Sequence, residues 1–207
     1  MITGIFLGSF DPPHIGHLSV VSECLNNGVD QVLIVPAYKN LWKPSQTKYS
    51  VRFVMVQEAF RSYRSRVIIS SAEKELGSYK DLRELYYDPK DVDKEGVPTY
   101  ALLRYLKDLN IYPDLRLITT PETFTEISKW INGPEIYRGN KFIIVYSPHF
   151  GNKDFNMTEE MLAIHPQKSL DISSTIIREG IKNNRIMYEY LPGKVGNLIN
   201  RLKLYKT

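Results

Sequence analysis

The stretch Gly8-Ser9-Phe10-Asp11-Pro12-Pro13-His14-Ile15-Gly16-His17 decides how this chain is read. It leaves Ile2 to Leu7, an apolar run of strand type, and enters Gly16 to Leu25, which reads as a helix. Gly8 ends the strand where the backbone can approach a ligand closely. Pro12 and Pro13 stiffen the loop and supply no N–H donors. His14 and His17 are three residues apart at a helix N-terminus, so their rings can point to the same side. Gly16 keeps the first turn free of a side chain, and the unpaired N–H groups and positive helix end favour an anion. Two imidazoles at such an end suit a polyphosphate. The plainer alternative makes His14 a capping residue and His17 an ordinary surface histidine. Two of the chain's four histidines in one strand-to-helix turn, beside Gly and Pro, favour function over that alternative.

Outward from this loop, short apolar runs alternate with helical stretches. Gln31 to Val35, Arg66 to Ser70, Leu115 to Thr119 and Phe142 to Tyr146 read as further strands. Val51 to Arg64, Thr99 to Leu109 and Glu122 to Trp130 read as helices, the first on the spacing of Phe53, Val56, Gln57 and Phe60. Strands without polar alternation, linked by helices, predict an α/β fold: a doubly wound parallel sheet of about five strands, covered on both faces. After residue 170 the pattern is helical, with Ile172 to Asn183 and Lys194 to Leu204. The expected organisation is a sheet domain over 1–170 and a small helical C-terminal subdomain over 171–207, one functional unit. Two stretches break the rhythm. Residues 77–98 carry an acidic cluster (Asp81, Glu84, Asp88, Asp91, Asp93, Glu95) and are expected to be a solvated excursion; 147–168 form a second long connection. In such a sheet the site lies at the carboxyl ends of the strands.

Composition narrows the class. With 207 residues, 43% hydrophobic and 24% charged, the chain can bury a real core, which excludes disorder throughout. Its longest apolar runs, such as Val32 to Val35, are far too short to span a membrane. The start carries no positively charged leader pattern, and the single Cys24 excludes a disulfide framework and a cysteine-rich metal site. A cytoplasmic protein is expected. The net charge of +4 is too modest to imply nucleic-acid binding, but it is unevenly placed: residues 178–207 carry +5 and the rest −1.

A second motif opens that basic segment. In Asp171-Ile172-Ser173-Ser174-Thr175-Ile176-Ile177-Arg178, a run of hydroxyl residues at a helix start offers caps and donors to phosphate oxygens. Arg178 lies one turn on and can fork onto the same phosphates. Plain capping by Ser173 or Ser174, with Arg178 exposed, is the alternative that the first motif outweighs.

The first loop matches G-x-F-x-P-x-H-x-G-H, six fixed positions in ten, a coincidence of roughly one in a million in a chain this size. It resembles the signature of the HxGH nucleotidyltransferase superfamily, and residues 171–178 resemble its ISSTxxR motif. Between them the chain is similar to the nicotinate/nicotinamide mononucleotide adenylyltransferases: Pro36 before Lys43, Arg52 and Met55 in R-x-x-M, Thr99 and Leu103 in T-x-x-x-L, then Trp130. Departures follow the fourth and fifth strands. Thr120-Pro121-Glu122-Thr123 stands for G-x-D-S, and Ser147-Pro148-His149 lacks an expected arginine.

This resemblance implies a Rossmann-like fold and adenylyl transfer from ATP to nicotinate or nicotinamide mononucleotide, giving the dinucleotide and pyrophosphate. It implies catalytic roles for His14, His17 and Arg178. ATP would be bound by Gly8, Ser9, Phe10, His14, Gly16, His17, Ile172, Ser173, Ser174, Thr175 and Arg178. The mononucleotide would be bound by Lys43, Arg52, Thr99, Glu122 and Trp130, with Trp130 stacking on the pyridine ring. Mg²⁺ would ride on the phosphates, without protein side chains as ligands. The partners are the two nucleotides, with no nucleic acid or membrane, in a possible homo-oligomer. Rival readings are pantetheine-phosphate adenylyltransferase, a cytidylyltransferase, and a non-catalytic nucleotide- or nucleic-acid-binding relative. An aminoacyl-tRNA synthetase is not expected, since 207 residues leave little room for tRNA recognition and there is no KMSKS-like loop.

Overall fold

The computed structural model describes residues 1–39, 47–146, 158–166 and 172–206. Six parallel strands form one sheet in the order β3-β2-β1-β4-β5-β6. They are β1 (Ile2–Gly8), β2 (Gln31–Pro36), β3 (Val67–Ile69), β4 (Asp114–Thr119), β5 (Lys141–Val145) and β6 (Leu162–Ile164). The sixth strand corrects the expected five. It is a three-residue piece inside the second long connection, too short to announce itself by pattern, and it pairs with β5 through Ile143 to Val145.

The helices are α1 (Ile15–Asn26), α2 (Tyr49–Ala59), α3 (Ala72–Ser78), α4 (Lys80–Tyr86), α5 (Thr99–Asp108), α6 (Pro121–Glu126), α7 (Gly133–Gly139), α8 (Ser174–Lys182) and α9 (Val195–Arg201). Both sheet faces are apolar, as a covered parallel sheet requires. In β2, Val32 and Ile34 face one core with Val21 and Cys24 of α1 and Met55, Val56 and Ala59 of α2. Leu33 and Val35 face the other, with Leu76 of α3, Leu102, Leu103 and Leu106 of α5 and Phe124 of α6. Ile177, Val195 and Ile199 of α8 and α9 belong to the first core, so the C-terminal helices pack on the sheet itself.

Several sequence expectations change in detail. The buried face of α2 is Arg52, Met55, Val56 and Ala59, and Phe53 is only half-buried. The stretch 122–130 is a short helix followed by a 3₁₀ turn, Ile127–Lys129. The excursion over 77–98 is not wholly solvated. Asp81, Glu84, Asp93 and Glu95 are exposed, but Asp91 is fully buried and accepts the Tyr100 hydroxyl proton at 2.9 Å. Asp88 pairs with Arg104 at 3.2 Å, and its backbone N–H donates to the Tyr100 hydroxyl at 2.7 Å. The acidic stretch is therefore fastened to the beginning of α5, which it helps to orient.

Strand order reverses at β1, which has β2 on one side and β4 on the other. The crevice at the carboxyl ends of these strands is where such sheets bind ligands. Helices that return the chain to the start of the next strand begin at that same end. The first residues of α2, α5 and α6 are thereby brought towards the loop that follows β1.

Candidate active site

At the end of β1 the chain makes a tight turn in which Phe10 takes the left-handed conformation, φ 48°. Its ring is 1% exposed and packs edge-on to Phe6 at 5.5 Å and against His17 at 4.9 Å. A Cβ at Gly8 would lie 3.1 Å from this ring, so the glycine admits it. The resemblance places Phe10 among the ATP contacts. With its ring sealed beneath His17, only the backbone is left for a ligand.

His14 stands at the N-cap of α1 with extended backbone. Its N–H donates to Nδ1 of His17 at 3.1 Å, which leaves the neutral His17 ring its proton on Nε2. The two rings lie 3.8 Å apart at a 40° tilt. His14 is 7% exposed and its Nδ1 has no hydrogen-bond partner among the described residues. Burial pushes the His14 pKa down to about 4. Burial, then the neighbouring His14, holds His17 well below the ordinary histidine value. Without a ligand both rings are therefore neutral near pH 7, and an orphaned ring nitrogen sits at a positive helix end. A polyanion there would reverse the balance, because it favours the charged imidazolium.

The second motif docks onto this turn from the other end of the chain. Ser173 caps α8 by accepting the N–H of Ile176 at 3.2 Å. Ser174 donates its hydroxyl to the Pro12 carbonyl at 2.8 Å, and Arg178 donates to the Asp11 carbonyl at 2.8 Å and to Thr175 Oγ1 at 3.1 Å. Gly16 leaves room for this docking. A Cβ there would come within 2.9 Å of His14 Nδ1 and 3.3 Å of Ile172. The two motifs, over 150 residues apart in sequence, thus share one surface, built from a helix N-terminus on each side.

The residues assigned to a second nucleotide are less closely joined. Lys43 and residues Ser147, Pro148 and His149 lie outside the described residues. Thr99 is the first residue of α5 and Glu122 lies in the first turn of α6, both half-buried. Thr120 caps α6 by accepting the N–H of Thr123 at 3.4 Å. Trp130 follows the 3₁₀ turn and is half-buried against the core that holds α5 and α6. Arg52 is 1% exposed, and its guanidinium donates to four backbone carbonyls: Thr47 at 2.8 Å, Ser9 and Ala37 at 2.7 Å, and Tyr38 at 3.3 Å. It ties the loops after β1 and β2 together and, so occupied, serves a ligand by holding those loops.

Some participants escaped the sequence reading. Asp11 lies inside the first motif, is 4% exposed, and accepts the Thr47 N–H at 3.1 Å and the Tyr205 hydroxyl proton at 2.6 Å. An aspartate before a double proline was a visible signal; a tyrosine near the chain end was none. Glu73, also buried, accepts the Tyr38 N–H at 2.8 Å, and burial raises its carboxyl to about 8. Among the described residues no three or more His, Cys, Asp and Glu side chains gather to hold a metal ion, and no helix is long and apolar enough to cross a membrane.

Known proteins share this architecture. A protein of Clostridium kluyveri named "Probable nicotinate-nucleotide adenylyltransferase" is 28% identical over 98% of this chain and 98% of its own. One of Clostridium perfringens with the same name is 27% identical over 98% and 97%. Among solved structures, Plasmodium falciparum nicotinic acid mononucleotide adenylyltransferase complexed with NaAD superposes with a TM-score of 0.76. It is 21% identical and is matched over 98% of this chain and 96% of its own. The Cytidylyltransferase-like family model matches residues 5–180, from the first strand through both motifs, and the chain belongs to that family.

Proposed function

We propose that this protein transfers the adenylyl group of ATP to a pyridine mononucleotide, with nicotinate mononucleotide the preferred acceptor, in the cytoplasmic synthesis of NAD. The observation that carries the proposal is the interlock of the His14–His17 turn with the Ser173–Arg178 helix start at the switch point of the sheet. The names of the relatives supply the acceptor: the curated ones are called nicotinate-nucleotide adenylyltransferases, and the Plasmodium structure is described as complexed with NaAD.

The acceptor's phosphate is already an anion near neutral pH, so the reaction needs no general base. One of its oxygens forms a bond to the α-phosphorus of ATP. The bond from that phosphorus to the oxygen bridging to the β-phosphorus breaks, and pyrophosphate leaves with the electron pair. The obstacle is repulsion between anions and loose alignment, which positioning and placed positive charge overcome. His14 faces the α-phosphate and becomes imidazolium as charge accumulates there. His17 holds the triphosphate. Ser173, Ser174, Thr175 and Arg178, at the N-terminal end of α8, hold the departing pyrophosphate. Mg²⁺ carried by the phosphates of ATP would offset part of their charge, with no protein side chain required to hold it. Thr99, Glu122 and Trp130 receive the mononucleotide, with Trp130 against the pyridine ring.

The test is incubation of the protein with ATP and Mg²⁺ and, separately, nicotinate mononucleotide, NMN or phosphopantetheine, following pyrophosphate release. Release with nicotinate mononucleotide above the other two supports the proposal. Release only with phosphopantetheine, or with none, overturns it.

A further inference from the structure

The family match ends at residue 180, yet the first loop is gripped by a residue far beyond it. After α9 the chain turns back on itself. Leu204 donates its N–H to the Ile199 carbonyl at 3.0 Å, and Lys203 and Tyr205 both adopt the left-handed conformation, with φ of 51° and 62°. Two residues that are not glycine in this region within three positions mark a segment held by its surroundings. What holds it is polar and specific. The Tyr205 hydroxyl donates to Oδ1 of Asp11 at 2.6 Å, while the Thr47 hydroxyl donates to the Tyr205 oxygen at 3.3 Å. The other carboxylate oxygen of Asp11 takes the Thr47 N–H at 3.1 Å, and its carbonyl takes Arg178 at 2.8 Å.

Asp11 is therefore held at three atoms by three separate parts of the chain: the entry to α2, the start of α8 and the C-terminal tail. It lies three residues before His14, with the two prolines between them to transmit its position. Burial and the adjacent Asp11 carboxylate push the Tyr205 hydroxyl pKa above the ordinary tyrosine value, so it remains a donor at any physiological pH. Without that donor, Oδ1 of a carboxylate that is 4% exposed would be left unpaired.

We propose that Tyr205 is a positioning residue of the ATP site, acting through Asp11 to set the turn that carries His14 and His17. This deepens the function proposed above and rests on it. The tail closes a circuit in which Arg52 also takes part, since it holds the Thr47 and Ser9 carbonyls on either side of the Asp11 contact. The site for ATP is thus assembled from the two ends of the chain and depends on its last few residues.

The experiment compares the full-length protein with Tyr205→Phe, Asp11→Asn, the double variant and the exposed control Lys206→Ala. It measures the affinity for a non-hydrolysable ATP analogue, the kinetic constants for both substrates, and the melting temperature. Tyr205→Phe keeps the ring and removes only the hydroxyl. It should weaken analogue binding and raise the ATP KM by about tenfold, and leave the mononucleotide KM within about twofold. The double variant should be no worse than the poorer single one, because both changes break the same contact. Wild-type analogue affinity in Tyr205→Phe overturns the proposal. So does an equal loss for both substrates that tracks a lowered melting temperature, and so does a wild-type protein that fails to bind the analogue. If the wild-type protein binds the analogue but makes no pyridine dinucleotide, the assigned acceptor fails, and the binding arm still decides the role of Tyr205.

Discussion

The two regions proposed to receive the nucleotides are built differently. In the region proposed for ATP, the turn after β1 and the start of α8 hold each other through Ser174, Arg178, Gly16 and Ile172, and the tail adds Tyr205. In the region proposed for the mononucleotide, Thr99, Glu122 and Trp130 sit on three successive segments after the third strand, each positioned by its own local packing. A site that grips phosphate relies on backbone N–H groups, helix ends and a few fixed side chains, so it is rigid and tightly specified. A site that distinguishes one base from another relies on side chains carried by loops, and loops vary. The departures from the family pattern, Thr120 and Glu122, fall on that second side. Thr120 caps α6, so the substitution supplies a side-chain acceptor for the Thr123 N–H that a glycine lacks.

This contrast can be broken at graded strength. The largest effect is expected from His14→Ala, which should lower kcat by roughly 10²–10³ with little loss of folding; a variant as fast as wild type would remove His14 from the chemistry. Arg178→Ala should raise the ATP KM by about 30-fold, since it removes both a phosphate contact and the anchor on the Asp11 carbonyl. An unchanged ATP KM would mean that its only partner is the loop. Trp130→Ala should act on the other half alone, raising the mononucleotide KM by about tenfold and leaving ATP untouched. A loss shared between both substrates would show that the halves are not separable. The smallest effect is expected from Thr120→Ala, about 1 kcal/mol of stability by chemical denaturation, the worth of a lost cap.

The histidine pair gives a prediction with a definite sign. In the folded, ligand-free protein His14 has a pKa of about 4, below its ordinary 6.5. The unfolded chain therefore takes up protons first as pH falls, and stability should decline between about pH 6.5 and about pH 4. ATP binding works in the opposite direction. Bound phosphates favour the imidazolium, so affinity should increase as pH is lowered towards about 4, the ligand-free His14 value. His14→Asn should weaken both trends and leave the part that His17 contributes; a variant that keeps them at full size would assign the protons elsewhere.

Much of this was legible in the sequence, and the contrast explains how much. The strands, the doubly wound topology and both phosphate motifs follow from apolar periodicity and from residue types with few alternative uses, such as a glycine between two histidines. Strand β6 was missed because Leu162, Ala163 and Ile164 are too few to show a period. The acidic excursion looked solvated because charge alone does not reveal that Asp91 is fastened to Tyr100 across nine residues. Arg52 read as a ligand contact because a sequence cannot distinguish an arginine that meets a phosphate from one that meets four carbonyls. Tyr205 meets Asp11 across 194 residues, a contact only the folded chain discloses.

What defines the proposed reaction is transfer of the adenylyl group itself. The most direct measurement uses ATP labelled at its α-phosphorus, with Mg²⁺ and nicotinate mononucleotide, and separates the products. The label should appear in the dinucleotide, the pyrophosphate should be unlabelled, and His14→Ala should abolish most of the transfer. Label that stays in ATP or emerges in free AMP, with no labelled dinucleotide, would contradict it.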